Sequence, residues 1–519
     1  MTAAPLGERM SRRLLRFALF VFVSIAGPLA AQEPAPAAPV GGLTTLKIST
    51  RIVVLDVVVT DKKGKLVTTG LGKDDFTIVE DRAPQTILSF EQPAAHALPV
   101  GVEVKSADDL KRIGDAPVTV LVLDELNTRF EDMVYSRNAM VKYLQAQPPV
   151  LKQPTVLLLA TNTRFLQMHD YTQNRDELID QIKHRMPEYP TKMMAGRGGA
   201  AAVERMAQSL AALEQVAQAS TGTAGRKNVI WVGNGFPSAD LVGLDPPTAA
   251  TIEAAVRQCT DMLLAARITM YTINPTLNST VTLDVETPED LTSAESDTGG
   301  ELYSGAIQFS TFAPATGGRS FLSRNDINNE IAEGIAAGSN YYTMSYAPTN
   351  RSDDAQTYRN IRIVMKDPNL RATTRNGYYP QTAATMNIAS TEAPKQAKAQ
   401  LQLDLSNAVN SAISYNGLDV KATHVGDLWV LQVKSAGLDW RSLNPQQEQT
   451  EVTVMAAWYT DKGKLLGHAS KELTANRAAG AETGAAFSLP VAVSGDAARL
   501  RFVVRDASNG HMGTVDVKP

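Results

Sequence analysis

The sequence has almost no cysteine, since Cys259 is the only one among 519 residues. No disulfide can form within the chain, and a metal site made of clustered cysteine and histidine side chains is excluded. Cys259 lies on the apolar face of a predicted helix over residues 248–266, so we interpret it as a small core residue. The six histidines are scattered: His96, His169, His184, His424, His468 and His511.

The chain also lacks a marked excess of charge of either sign. Its 50 lysines and arginines nearly balance 54 aspartates and glutamates, which leaves a formal net charge of −4. This balance argues against the basic surface that is typical of nucleic-acid-binding proteins. A hydrophobic content of 44% with 20% charged residues is typical of a globular protein, and the length predicts several domains.

Long apolar runs are missing except near the amino terminus. Four arginines between Arg9 and Arg16 precede an apolar run over residues 17–26, and Leu29-Ala-Ala31 follows it. This pattern predicts a secretory signal peptide over residues 1–31, cleaved after Ala31. An uncleaved anchor is the alternative, which the shortness of the run disfavours. We therefore expect a periplasmic or secreted mature protein with no membrane span.

The hydrophobic periodicity of the remaining chain predicts three folded regions. Short β-branched runs separated by turn residues indicate β modules near both ends. Between them, apolar strands alternate with amphipathic helices, which predicts an α/β domain with a mostly parallel sheet. The predicted order is a linker at 32–45, a small β module at 46–92, the α/β domain at 117–348, a strand extension at 358–380, a linker at 381–402 and an immunoglobulin-like β-sandwich at 403–519.

Two buried strands of the predicted α/β domain end in polar residues. Val118 to Asp124 is one of them, and the run that ends at Val232 is the other. Because the carboxyl ends of parallel strands meet at one edge of a sheet, ligands often bind there. The residues predicted at this edge are Asp124, Glu125, Asn127, Thr128, Asn234 and Asp240.

An acidic stretch begins at the same predicted edge. Residues 274–307 contain seven aspartates and glutamates and no lysine or arginine. Such a stretch is most often a solvated loop. A long loop beside a ligand edge is also typical of functional segments, so a lid that faces a partner is the alternative interpretation.

Six stretches of this sequence together resemble a known family. They are Val57-Val-Val-Thr-Asp-Lys-Lys-Gly64, Asp74-Asp-Phe-Thr-Ile-Val-Glu-Asp81, Leu121-Val-Leu-Asp-Glu-Leu-Asn-Thr128, Gly225-Arg-Lys-Asn-Val-Ile-Trp231, Thr316-Gly-Gly-Arg319 and Tyr341-Tyr-Thr-Met-Ser-Tyr-Ala-Pro348. The chain is similar to von Willebrand factor A-type (vWA) domain proteins and, more narrowly, to the acidobacterial VWFA-related family. The resemblance covers roughly residues 45–380 and implies a Rossmann-like sheet with a role in binding rather than catalysis.

Domains of this type often carry a metal-ion-dependent adhesion site. The resemblance places Asp124 and Thr128 at the ends of its Asp-x-Ser-x-Ser motif, and Asn234 where a later aspartate belongs. Ser209 is the nearest hydroxyl for the remaining ligand. Leu126 stands where the first serine belongs and has no oxygen to donate. Mg²⁺ prefers an octahedral oxygen shell with carboxylates, so the site is expected to be degenerate.

Two interpretations of this polar set stay open. Glu125, Asn127 or Asp240 could replace the lost ligand, in which case Mg²⁺ is the expected ion. Alternatively, Asp124 and Thr128 cap the following helix and satisfy loop amides. We favour the second interpretation, because the set has lost one ligand and one negative charge.

Composition and motifs together favour an exported, non-enzymatic protein that binds a protein or extracellular ligand. A structural role in envelope assembly is the first alternative. A hydrolase is the second alternative, although the sequence has no Gly-x-Ser-x-Gly elbow, His-Glu-x-x-His pair or phosphate-binding loop.

Overall fold

The structure of the protein is a computed structural model. It describes residues 52–161, 165–185, 199–236, 239–240, 245–276, 306–322, 326–350, 357–380, 394–411, 413–493 and 495–519. The chain divides into two units, residues 1–50 and residues 51–519. The predicted signal peptide, the first linker and most of the acidic stretch lie outside the described residues. Among the helices described, none is long and apolar enough to cross a membrane.

The strands and helices follow the chain in this order. The strands are β1 (Val53–Asp61), β2 (Phe76–Glu80), β3 (Ala83–Gln85), β4 (Ile87–Glu91), β5 (Val118–Asp124), β6 (Val150–Ala160), β7 (Phe165–Asn174), β8 (Lys227–Val232), β9 (Ala239–Asp240), β10 (Ile268–Ile273), β11 (Ala306–Ile307), β12 (Arg319–Phe321), β13 (Tyr342–Tyr346), β14 (Arg359–Met365), β15 (Leu370–Thr373), β16 (Gly377–Tyr378), β17 (Val420–Val425), β18 (Leu428–Val433), β19 (Arg441–Asn444), β20 (Gln447–Tyr459), β21 (Leu465–Ala478), β22 (Ala485–Pro490), β23 (Arg499–Asp506) and β24 (Met512–Val517). The α-helices are α1 (Phe130–Gln145), α2 (Arg175–His184), α3 (Gly199–Ala219), α4 (Pro246–Ala265), α5 (Phe312–Ala315), α6 (Ile327–Ser339) and α7 (Pro394–Asn410). Short 3₁₀ helices cover Lys73–Asp75, Pro93–His96, Ala107–Arg112 and Phe309–Thr311.

The first β region is built from two distant parts of the sequence. One antiparallel sheet has the order β15-β1-β13-β4, and the other has the order β16-β14-β2-β3. Leu55 pairs with Met344 in the first sheet, and Ile78 pairs with Ile363 in the second. The alternating apolar residues of both sheets form one buried cluster. The predicted module at 46–92 is therefore completed by strands that lie after residue 341.

The central sheet has the order β12-β10-β8-β5-β6-β7. Its neighbours are parallel except for the pair of β6 and β7, which is antiparallel. Helices α1, α2 and α6 bury apolar residues on one face, whereas α3 and α4 cover the other. Cys259 of α4 is fully buried in this second cluster.

The carboxyl-terminal region contains two antiparallel sheets. One has the order β17-β18-β22, and the other has the order β19-β20-β23-β24 with β21 beside β20. Leu431 of the first sheet and Phe502 of the second lie in the same buried cluster. Helix α7 contributes Leu405 and Val409 to the cluster that also contains Leu213 of α3. The second sheet therefore packs through α7 against the helices of the central sheet.

The predicted fold class, an α/β chain with a Rossmann-like vWA core and a mostly parallel sheet, is wrong. In the described residues more positions lie in strands than in helices, and every sheet except the central one is antiparallel. The central sheet is mixed, because β7 runs against β6. Strand β13 falls within the predicted α/β domain at 117–348, but it lies between β1 and β4 instead of in the central sheet. Its apolar periodicity fits a buried strand in either sheet, so the sequence pattern did not identify its partners.

Candidate functional site

The predicted polar residues meet where β5 and β8 end. These strands are neighbours, with Leu123 opposite Val232, so the loops that follow them lie side by side. The amide of Asn234 donates a hydrogen bond to Oγ1 of Thr128 at 3.1 Å. We call this edge the rim and define it as residues 124–128, 233–236 and 274–276. Asp124, Thr128 and Asn234, which the sequence places at one edge of the sheet, lie close together here.

Asp124 is buried at the centre of the rim and accepts four hydrogen bonds. Its Oδ1 accepts from the amides of Leu126 and Asn127, at 3.0 Å and 2.9 Å. Its Oδ2 accepts from the indole Nε1 of Trp231 at 3.2 Å and from the amide of Gly235 at 2.8 Å. One carboxylate therefore holds the loops after β5 and β8 together.

The protonation of Asp124 reflects two opposing influences. Burial disfavours the ionised carboxylate and raises its pKa to about 6. The hydrogen bonds from Asn127, Trp231, Gly235 and Leu126 stabilise the ionised form and lower the pKa. The side chain is 1% exposed, so its charge is directed at these internal donors.

Two glycines let the loop after β8 pass close to Asp124. Gly233 has a φ of +150°, and a Cβ there would lie 2.3 Å from the Cβ of Asp124. Gly235 has a φ of +64°, and its Cβ would lie 2.0 Å from the ring of Phe309. Both positions require a residue without a side chain. The Val-Gly-Asn-Gly sequence therefore serves close packing at the rim.

Asn127 and Ser209 interact below the rim surface. Nδ2 of Asn127 donates to Oγ of Ser209 at 3.0 Å, and this hydroxyl donates to the carbonyl of Arg205 at the same distance. Oδ1 of Asn127 is buried with no hydrogen-bond partner among the described residues. Ser209 is fully buried and binds Asn127. The Asn127–Ser209 hydrogen bond joins the loop after β5 to helix α3.

Glu125 is directed towards the helices rather than towards Asn234. Its Oε1 lies 3.3 Å from Nη1 of Arg137 on α1, and both side chains are buried. Arg137 also donates to the carbonyl of Ile182, which lies in α2, and to that of Arg185, which follows the helix. Glu125 therefore belongs to an ion pair that fixes α1 and α2. The side chain of Asp240 lies outside the described residues, and its backbone pairs with Ala306.

Three side chains at or beside the rim were not among the residues predicted for the site. Trp231 supplies the indole donor to Asp124. Thr276 donates to Oδ1 of Asn234 at 3.0 Å, and its Oγ1 lies 3.5 Å from Oδ2 of Asp132. Partial burial raises the pKa of Asp132. The position of Thr276 just after β10 was the available signal, because that strand end was already expected at the same edge.

The rim residues do not fit a divalent cation in this conformation. Each oxygen of Asp124 already accepts two hydrogen bonds, and Oδ1 of Asn234 accepts one from Thr276. Leu126 contributes no oxygen. Among the described residues, no group of three or more acidic, histidine or cysteine side chains is arranged to hold a metal. A hard cation needs several free oxygen ligands, so binding here would require donors to be displaced.

Comparisons with known proteins assign no family to this chain. No family model matches it, and no curated protein matches it. Proximal thread matrix protein 1 from the mussel byssus is 12% identical over 31% of this chain and 38% of its own, with a TM-score of 0.21. The TFIIH p34 N-terminal domain is 8% identical over 30% of this chain and 80% of its own, with a TM-score of 0.17. Scores this low carry no argument about fold or function, and the resemblance to the vWA family stays a prediction.

Proposed function

We propose that this protein is an exported, non-enzymatic binding protein whose rim holds a protein partner without a metal ion. The observation that carries the proposal is the set of four hydrogen bonds to Asp124. They fix two loops from different strands in one arrangement. A surface that is ordered before binding loses little conformational entropy when a partner docks, which favours affinity.

The use of Asp124 inside the protein supports binding rather than catalysis. A general base needs a lone pair within reach of its substrate. Both oxygens of Asp124 are turned to internal donors, and the residue is 1% exposed. Its raised pKa follows mainly from burial. The Asp124 carboxylate therefore holds the two rim loops together by hydrogen bonds.

The side chains around the rim suit a protein interface. Phe130 and Val134, at the start of α1, are 38% and 37% exposed. The polar groups of Asp132, Asn234 and Thr276 lie beside this helix start and are partly buried. An aromatic anchor next to partly desolvated polar groups is typical of the centre of protein interfaces. We therefore place the partner against Phe130 and the polar group beside it.

Export is the second part of the proposal, and it rests on the sequence. The arginine-flanked apolar run before Ala31 predicts cleavage and release across the inner membrane. Mass spectrometry of the protein from its native host tests this directly. We expect a mature amino terminus at Gln32 in a periplasmic or culture fraction. A full-length cytoplasmic protein would contradict export.

A capture experiment tests the binding function. Wild-type protein, Phe130→Asp and Val425→Asp are immobilised and incubated with envelope and extracellular extracts. Val425 is 58% exposed on the β17–β18 hairpin, so it controls for adding a charge to an apolar surface residue. We expect one protein to be retained by wild type and by Val425→Asp, and lost by Phe130→Asp. Equal capture by all three, or no capture, would refute the proposal.

A further inference from the structure

A second concave site lies at the opposite edge of the central sheet from the rim. The cavity has a volume of about 370 Å³ and is formed where the first β region meets the start of β5, the start of β6 and the end of α6. Its lining includes His96, Leu98, Pro117, Lys152, Gln153 and Asn340. This volume lies within the range of small-molecule sites.

His96 is the most unusual side chain in the cavity wall. It is 3% exposed, and its ring stacks on that of Tyr341 with centroids 4.5 Å apart. The hydroxyl of Thr343 donates its only proton to Oδ1 of Asp56 at 3.1 Å. In the hydrogen bond of 3.1 Å between Nε2 of His96 and Oγ1 of Thr343, the imidazole N–H is therefore the donor. This assigns the proton of the neutral ring to Nε2.

The other nitrogen of His96 is then a hydrogen-bond acceptor without a donor. Nδ1 is buried and has no hydrogen-bond partner among the described residues. Burial lowers the pKa of His96, which keeps the ring neutral and the lone pair on Nδ1 free. A buried acceptor left unpaired costs free energy, so a ligand or a water that donates to it is favoured.

The remaining lining defines the charge and polarity of a ligand. Lys152 is exposed at the cavity and brings a positive charge, whereas no aspartate or glutamate is among the lining residues. Pro93, Leu98 and Pro117 add an apolar wall. A site with one cation, one acceptor and an apolar wall suits a short carbon skeleton with a carboxylate and a donor group.

We propose that this cavity binds a small organic carboxylate that carries a hydroxyl or an ammonium group. The carboxylate pairs with Lys152, and the donor group reaches Nδ1 of His96 directly or through one bridging water. The carbon skeleton contacts the apolar wall. This site is separate from the rim, and its occupation does not depend on the function proposed for the rim.

The first arm of the test uses ligand-observed NMR and calorimetry with the full chain. Lactate and glycerate represent hydroxy acids, and alanine and serine represent amino acids. Propionate lacks the donor group, and glycerol lacks the carboxylate. We expect one of the two acid classes to bind at least about tenfold more tightly than propionate and glycerol. Which class binds identifies the donor group.

The second arm uses variants that keep the fold. Lys152→Gln removes the cation, and Lys471→Gln is the matched control at an exposed lysine of β21. Thr69→Trp fills the cavity from an exposed lining position. We expect binding to weaken at least about tenfold in Lys152→Gln, to vanish in Thr69→Trp and to persist in Lys471→Gln. No binding by any acid, or binding unchanged in Lys152→Gln and Thr69→Trp, would overturn the proposal.

Discussion

The indole Nε1 of Trp231 donates a hydrogen bond to Oδ2 of Asp124, 3.2 Å away on the neighbouring strand. The same indole ring packs against Phe309, with centroids 4.9 Å apart. Phe309 in turn lies where the Cβ of any residue at position 235 would be. Asp124, Trp231, Gly235 and Phe309 therefore form one packed unit that connects the ends of β5 and β8 with the segment around residue 309.

Because Asp124 is central to this packed unit, we expect Asp124→Ala to lower the free energy of unfolding strongly. The substitution removes the acceptor for three amides and one indole N–H, all of which lie in a buried region. Unpaired buried donors cost about 1–3 kcal/mol each, with partial relief from water. We expect the free energy of unfolding to fall by about 3–5 kcal/mol in urea denaturation monitored by tryptophan fluorescence.

A matched control is available at an exposed carboxylate. Asp74 lies in the short 3₁₀ helix Lys73–Asp75 and is exposed. Asp74→Ala should change the free energy of unfolding by less than about 0.5 kcal/mol. If Asp124→Ala lost no more stability than Asp74→Ala, the Asp124 carboxylate would not be what holds the rim loops together.

Metal removal is expected to leave the protein unchanged. Both oxygens of Asp124 already accept hydrogen bonds from internal donors, so we expect no divalent ion to contribute to the folded state at the rim. The melting temperature should be the same after EDTA treatment and after addition of Mg²⁺, Mn²⁺ or Ca²⁺. A rise in melting temperature with Mg²⁺ that disappears in the Asp124→Ala protein would contradict this expectation.

The proximity of Asp124, Thr128 and Asn234 was predictable, because both strands were recognised as buried and parallel strands end at a common edge. The hydrogen bond from Trp231 was not predictable, since periodicity does not reveal which buried side chain reaches a carboxylate. The partners of β1 and β2 were also missed. Alternation of apolar residues shows which face of a strand is buried, but it is the same for a partner ten residues away or three hundred residues away.

Comparing Gly235 with Gly426 distinguishes two costs of adding a side chain. One is a steric clash of the new Cβ, and the other is the unfavourable positive φ. Gly235 and Gly426 have nearly equal φ values of +64° and +60°. A Cβ at Gly235 would lie 2.0 Å from the ring of Phe309, whereas a Cβ at Gly426 would meet nothing within 4 Å. Gly426→Ala should cost about 1 kcal/mol for the positive φ alone. Gly235→Ala should cost at least about 2 kcal/mol more in the same urea titration. Equal losses would mean that the loop moves away from Phe309 freely.

A buried ion pair joins the two distant parts of the first β region. Nη1 of Arg359 on β14 lies 3.1 Å from Oε1 of Glu80 on β2, and the two side chains are 5% and 1% exposed. The hydroxyls of Tyr346 and Tyr378 donate to the other oxygen of Glu80. Removing the cation would leave a buried carboxylate without its partner charge.

We therefore expect Arg359→Met to lower the free energy of unfolding by about 3–5 kcal/mol. Arg362, three residues along the same strand, is exposed and provides the control. Arg362→Met should change the free energy of unfolding by less than about 0.5 kcal/mol. Similar effects of the two substitutions would indicate that β14 does not pack its Arg359 face against β2.

Glu214 on α3 predicts how stability depends on pH. Burial, with a smaller contribution from the nearby charge of Asp404, raises the pKa of Glu214 from 4.5 to about 7. Between these two values the folded state binds more protons than the unfolded state. The free energy of unfolding therefore falls as pH rises through this window. Glu214→Gln removes the ionisation and should leave stability unchanged near pH 4. Near pH 8 it should raise the free energy of unfolding by about 1–2 kcal/mol, allowing for partial exposure of the side chain.

The control for Glu214 is Glu472→Gln, at an exposed position of β21. Urea titrations of the three proteins at both pH values measure the effect. The Glu472→Gln curves should follow wild type throughout, because an exposed carboxylate has nearly the same surroundings in the folded and unfolded states. Glu214 lies at the contact between α3 and the segment that contains Asp404 of α7. A stabilisation by Glu214→Gln that is present near pH 8 and absent near pH 4 would therefore show that the ionised Glu214 carboxylate destabilises the junction of α3 and α7. An effect independent of pH would instead assign it to side-chain packing.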